Sequence, residues 1–165
     1  METKMPVLRH PTVDDGAQIH QLIEQCPPLD LNSTYLYLLQ CTHFADTCLV
    51  AEIDGEVAGF VSGYIKPGAS DTYFLWQVAV GQALRGQGMA RKMIDAVLDR
   101  RACQGIKHLE TTITPDNEAS WALFKAFARD RKAGLEGETF FTTDQLGGEH
   151  SPEQLVRIGP FEAFA

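Results

Sequence analysis

The chain has 165 residues, enough for one domain whose core needs neither disulfides nor a structural metal. Hydrophobic residues make up 44% and charged residues 22%, which excludes a disordered or fibrous chain. Acids outnumber bases 22 to 14, and the net charge of −8 argues against a nucleic-acid partner or an anionic membrane surface.

Val7–Arg9 reads as a short strand before Pro11. Thr12 can cap a helix, with Asp14 and Asp15 in its first turn and Ala17, Ile19, Leu22 and Ile23 at helical spacing. Pro27-Pro28 ends it, because neither proline can continue a helix. A second helix covers Tyr35–Cys41, opened by Asn32 or Ser33. Cys48–Ile53 and Glu56–Tyr64 form a hairpin about Asp54-Gly55. Tyr73–Val80 is apolar on both faces, as a central buried strand should be. Met89–Cys103 reads as an amphipathic helix ended by Gly105, and β-branched His108–Thr114 as the next strand. Pro115-Asp116-Asn117 opens a helix running to about Arg129. Thr139–Thr143 and Leu155–Ile158 are two late strands around a glycine-rich loop. Only the centre alternates strand and helix. The expectation is an α/β fold with a mixed, mostly antiparallel sheet, a central parallel pair and flanking helices. It spans 1–165 as one domain, with a core of about 7–158.

Cys26, Cys41, Cys48 and Cys103 lack zinc-ligand spacing and read as reduced thiols, so no metal is expected. The N-terminal segment Met1–His10 has no apolar stretch of the signal-peptide kind, and no window is long enough to span a membrane. A cytoplasmic protein is the expectation.

The segment Arg85-Gly86-Gln87-Gly88-Met89-Ala90-Arg91-Lys92 joins the buried strand to the amphipathic helix. Glycines at a helix start leave N–H groups pointing outward in a positive dipole field, which suits a phosphate. Residues 81–92 hold three bases and no acid, so the segment is +3 within a chain of −8. It does not fit GxxxxGK[ST], and Arg91 breaks the dinucleotide fingerprint at its third position.

Arg85-x-x-Gly88-x-Ala90 after Gln77-Val78-Ala79-Val80 resembles the pyrophosphate loop of the Gcn5-related N-acetyltransferases (GNAT). The element order matches that fold from Val7 to Ile158. The resemblance implies acetyl-CoA as co-substrate, held by Gln77, Val78, Ala79 and Val80 and by Arg85, Gly86, Gln87, Gly88, Met89, Ala90 and Arg91. Asn117 and the following helix, with Phe124, resemble the family's second coenzyme A segment. Many members carry a Tyr where this chain has Phe124; a phenyl ring cannot protonate the departing thiolate.

Pro28-Leu29-Asp30-Leu31-Asn32-Ser33-x-Tyr35, Phe74-x-Trp76-Gln77, Thr112-x-Thr114-Pro115-Asp116-Asn117 and the run from Gly147-Gly148-x-His150-x-Pro152-Glu153 to Pro160 resemble the L-2,4-diaminobutyrate acetyltransferases of ectoine synthesis. That resemblance implies a small diamino acid acetylated at its 4-amino group, and a homodimer. It implies Asp30, His150 and Glu153 as catalytic residues and Asn32, Tyr35 and Trp76 as substrate contacts. Each has a plainer reading. Asp30 or Asn32 can cap the next helix, Trp76 can be core, and His150 and Glu153 can face water; Asn117 can be only a cap. The function reading has three rivals: the same fold acting on another small amine or a protein lysine, a coenzyme A-binding module without activity, and a nucleotide-binding fold, which the broken fingerprint disfavours.

Overall fold

The computed structural model describes residues 5–162. Residues 1–4 and 163–165, the outermost parts of the expected domain and of the N-terminal segment, lie outside it. The strands are β1 (Val7–Arg9), β2 (Leu49–Ile53), β3 (Glu56–Ile65), β4 (Thr72–Val80), β5 (His108–Ile113), β6 (Gly134–Phe141) and β7 (Glu153–Gly159). The helices are α1 (Gly16–Glu24), α2 (Thr34–Thr42), α3 (Met89–Leu98) and α4 (Glu118–Asp130). The seven strands form one sheet in the order β1-β2-β3-β4-β5-β7-β6. β4 and β5 are parallel, whereas β1–β2, β2–β3, β5–β7 and β6–β7 are antiparallel. The mixed sheet with a parallel pair is therefore as the sequence implies.

The described residues divide into two compact units, one of residues 5–64 and 76–103, the other of 65–75 and 104–162. In the first, Ile19, Ile23, Tyr37, Cys41, Val50, Phe60 and Ala79 form a buried cluster, with Leu29 and Val57 packed against it. Non-polar side chains at helical spacing on α1 and α2, and at alternate positions on the strands, account for its composition. The β2–β3 turn has Asp54 at φ 52° and Gly55 at φ 81°, the left-handed pair that a two-residue hairpin demands. In the second, the parallel ladder runs from Thr72↔His108 to Leu75↔Thr111. The Phe127 and Phe161 rings meet edge to face at 5.6 Å, and the Arg131 guanidinium lies over both.

Three expectations need correction. β6 begins at Gly134 rather than Thr139, because its register with β7 runs from Gly134↔Gly159 to Phe141↔Glu153. Ladder pairing with β7 extends this edge strand through residues whose own pattern signals a loop. The helix after the glycine loop stops at Leu98, followed by one 3-10 turn at Arg101–Cys103. Arg100 instead donates to the Asp46 carbonyl at 3.2 Å. β4 is not buried on both faces either: Tyr73, Leu75, Gln77 and Ala79 are buried, while Phe74, Trp76, Val78 and Val80 are partly or largely exposed.

Candidate active site

The first unit carries the glycine loop. A 3-10 turn at Gln82–Leu84 follows β4, and Arg85 leaves it with extended backbone. The Arg85 side chain folds back, its Nε donating to the Val80 carbonyl at 3.1 Å. Gly86 and Gly88 stand at φ +77° and +67°. A Cβ at either would meet nothing within 4 Å, so their conformation, not crowding inside the fold, requires glycine. Gly88 is the N-cap of α3, and the first turn of α3 holds no acid. The leading N–H groups of α3 have no acceptor within the helix, so they converge on whatever sits at its start. Arg91 pairs with Asp95 one turn on, Nε to Oδ2 at 3.3 Å. Open space, left-handed glycines, nearby cationic side chains and a helix N-terminus together fit a pyrophosphate.

The same unit places the Leu29–Asn32 segment and α2. Ser33, not Asp30 or Asn32, caps α2: its side chain accepts from the Leu36 N–H at 3.2 Å. That removes the capping explanation for Asp30 and Asn32. Asn32 donates to the Tyr37 hydroxyl from its backbone N at 3.3 Å and from Nδ2 at 3.5 Å. Tyr37 donates to Gln77 Oε1 at 3.2 Å, and Gln77 Nε2 donates to the Asp30 carbonyl at 2.7 Å. The structure thus brings Asp30, Asn32 and Gln77 together through Tyr37. Tyr35, 70% exposed, stands in the first turn of α2. Trp76 is 44% exposed, so it is not a core residue. It meets Tyr64 edge to face at 6.4 Å, and Tyr64 in turn meets Phe44.

The second unit carries the remaining candidates. His150 Nε2 lies 3.9 Å from Glu153 Oε1, on the loop leading into β7 and on its first residue. Asn117 caps α4, its Oδ1 accepting from the Ser120 N–H at 3.2 Å, so a structural role is established for it. Phe124 is 4% exposed on the inner face of α4, where it offers no proton. On the outer face a shallow cavity is lined by Pro115, Glu118, Trp121 and Lys125. Tyr37 is the residue that sequence reasoning missed; inside a short helix its aromatic ring signals only core.

The chemistry of the cysteines bears on mechanism. Burial pushes the Cys41 thiol up to about 12 and the Cys48 and Cys103 thiols up to about 11. Thiols held that far up are poor nucleophiles at neutral pH. Among the described residues no group of three or more His, Cys, Asp or Glu could hold a metal ion.

A glycine-rich helix start on the chain segment between the parallel strands β4 and β5 suits the phosphates of an acyl-coenzyme A, the co-substrate of an acyltransferase class. The model of the acetyltransferase (GNAT) family matches residues 16–128, and the chain belongs to that family. The chain is 60% identical over 156 residues to the L-2,4-diaminobutyric acid acetyltransferase of Chromohalobacter salexigens, covering 94% of this chain and 81% of that one. Against the enzyme of the same name from Halomonas elongata the identity is 57%, with the same coverage. The solved diaminobutyrate acetyltransferase of Paenibacillus lautus, in complex with L-2,4-diaminobutyric acid and coenzyme A, superposes with a TM-score of 0.92 at 36% identity, covering 97% of each chain.

Proposed function

We propose that the protein transfers the acetyl group of acetyl-CoA to the 4-amino group of L-2,4-diaminobutyrate, the acetylation that serves ectoine synthesis. The observation that carries this reading is the 0.92 superposition on a structure holding both diaminobutyrate and coenzyme A. The loop Arg85–Arg91 holds the pyrophosphate through backbone N–H groups. Backbone groups of Gln77–Val80 hold the pantetheine arm, and Asn117 and Phe124 contribute to the same co-substrate. Acetyl-CoA supplies an activated thioester; everything else falls to the chain.

An alkylammonium has a pKa near ~10, so the acceptor must lose a proton before its nitrogen can attack. His150 beside Glu153 can take that proton, with the carboxylate stabilising the imidazolium it forms. Asp30 and Glu153 attract the ammonium groups of the diamine. Tyr35, Asn32 and Trp76 contact the substrate, and the Trp76 face suits a cation. Attack is direct: the C–N bond forms, the C–S bond breaks, the electron pair leaves on sulfur, and the acylated nitrogen sheds its remaining extra proton to solvent or to the departing thiolate. N–H groups of β4 stabilise the developing oxyanion. A thiol pKa near ~8.5 lets the thiolate leave without an acid at Phe124. The raised thiols of Cys41, Cys48 and Cys103 argue against an acetyl-cysteine intermediate at those three residues.

The proposal includes a single catalytic domain, since the family match takes in residues of both units. It includes the cytoplasm, the reducing compartment that suits four free, buried cysteines. It also includes a homodimer: Phe140 and Phe141, tilted against each other with ring centroids 4.2 Å apart and exposed on edge strand β6, offer apolar surface to a second copy. Sedimentation as a monomer at micromolar concentration removes the dimer.

The deciding experiment incubates the protein with acetyl-CoA and a panel of amines and follows thiol release. Diaminobutyrate should outpace ornithine and lysine, whose longer stems carry the amine past the thioester carbon. A better rate with lysine or a peptide amine overturns the substrate. Asp30→Asn and Glu153→Gln should each cost diaminobutyrate kcat/KM one to two decades, from ~1.5–3 kcal/mol of lost charge-assisted hydrogen bonding, and leave acetyl-CoA affinity unchanged.

A further inference from the structure

We infer that Tyr37 and the Gln77 side chain are positioning residues that hold the Leu29–Asn32 segment, and with it Asp30, in place for the acceptor amine. The inference rests on the proposed reading of Asp30 as a substrate contact and adds two residues to it.

Tyr37 is completely buried, so its hydroxyl must be satisfied from within the fold. A phenol has one proton to give and two lone pairs. Here the proton goes to Gln77 Oε1, and the lone pairs receive the backbone N–H and the Nδ2 of Asn32. The hydroxyl is saturated, and two of its three bonds tie down the residue two places from Asp30. Gln77 completes the relay. Its amide can stand only one way, because the reverse would set Oε1 against the Asp30 carbonyl oxygen, two acceptors face to face. The Gln77 backbone N–H donates to the buried Ser62 hydroxyl at 3.1 Å, which fixes the strand from which the amide projects.

Leu29, at the other end of the segment, packs against the core cluster that contains Tyr37. A segment of four residues is thus held at Leu29 by packing, at Asp30 by its carbonyl and at Asn32 by two donors. Asp30 itself remains exposed. The backbone is clamped while the carboxylate stays free, which is the arrangement a charged recognition group needs.

The test uses the full-length enzyme with Tyr37→Phe, which keeps the core volume and deletes the relay hydroxyl, and Gln77→Met, which keeps the length and deletes both polar atoms. Each should raise KM for diaminobutyrate about tenfold and leave KM for acetyl-CoA within about twofold. Combined with Asp30→Asn, either should add less than about twofold further, because the residue they position has lost its charge. Equal rises in both KM values, or full additivity with Asp30→Asn, would mean general destabilisation and would overturn the inference. Amide exchange separates this from the status of Asp30. The Asn32 amide should exchange at least tenfold faster in Tyr37→Phe than in the parent; unchanged exchange removes the relay. If exchange accelerates but Asp30→Asn turns over diaminobutyrate like the parent, the clamp stands as architecture and its role in recognition is refuted.

Discussion

Gly88 shows how one residue joins backbone conformation to ligand chemistry. At φ +67° it occupies the left-handed region that side chains resist, and it faces open space at the start of α3. Gly88→Glu would add strain of ~1–2 kcal/mol and set a negative charge where the pyrophosphate belongs. Calorimetric titration should show acetyl-CoA binding abolished, and unchanged affinity would refute the loop assignment. Phe124 poses the opposite question. Its position on the inner face of α4 leaves no place for a water-exposed hydroxyl. Phe124→Tyr should lower the melting temperature, since a buried hydroxyl without a partner costs ~1–3 kcal/mol. The rate should stay within about tenfold, roughly ~1.4 kcal/mol. A much larger rate gain would mean that thiolate protonation limits turnover.

The elements differ in how openly the sequence declares them. α1 and the β2–β3 hairpin were legible because their signals are local: helical spacing before Pro27, and Asp54-Gly55 between two β-rich runs. β6 was half legible. Its Gly-Leu-Glu-Gly-Glu start has no apolar alternation, and only the backbone of β7 makes it a strand. The glycine loop was legible because charge and spacing coincide in a dozen residues. The relay of Tyr37, Gln77 and Asp30 was not, because its partners lie 40 and 47 positions apart and no local pattern joins them. The start of α2 stood between two readings, and a hydrogen bond from Leu36 decides it for Ser33. Ser33→Ala should cost about 1 kcal/mol by thermal or urea denaturation, whereas Asn32→Ala should not act as a cap loss. Because α2 carries Tyr35 and Tyr37, Ser33→Ala should also raise the Asn32 exchange rate, by less than Tyr37→Phe does.

Over the whole molecule, acid titration brings two opposing effects. With 22 acids against 14 bases, lowering the pH from 7 moves the net charge of −8 toward zero near pH 5.0. Self-repulsion falls over that range, so stability should hold or rise slightly. Below it a specific pair takes over. Both Asp15 oxygens accept from Arg9 at 2.8 Å, and Oδ2 also accepts from the Thr12 N–H at 2.7 Å. Arg9 reaches Glu52 on β2 as well, Nε to Oε2 at 3.4 Å, so the pair links β1, the start of α1 and β2. The Arg9 hydrogen bonds hold the Asp15 carboxyl below its ordinary range, outweighing the opposing effect of burial. A carboxylate with a depressed native pKa binds protons more readily in the unfolded chain. Its stabilising contribution is therefore complete above the unfolded value near ~3.9 and is lost as the pH falls from there through the native value. The melting temperature should be level or gently rising from pH 7 to about 5 and should fall below about 4. Asp15→Asn should lower it at pH 7, through the loss of the ~1.5–3 kcal/mol of stability of a hydrogen bond to a charged group, and should flatten the acid limb. Arg9→Met should lower it at pH 7 as well but tilt the profile the other way: without its cation, buried Asp15 gains stability on protonation. Parallel acid limbs in the parent and Asp15→Asn would show that some other carboxylate governs the acid transition.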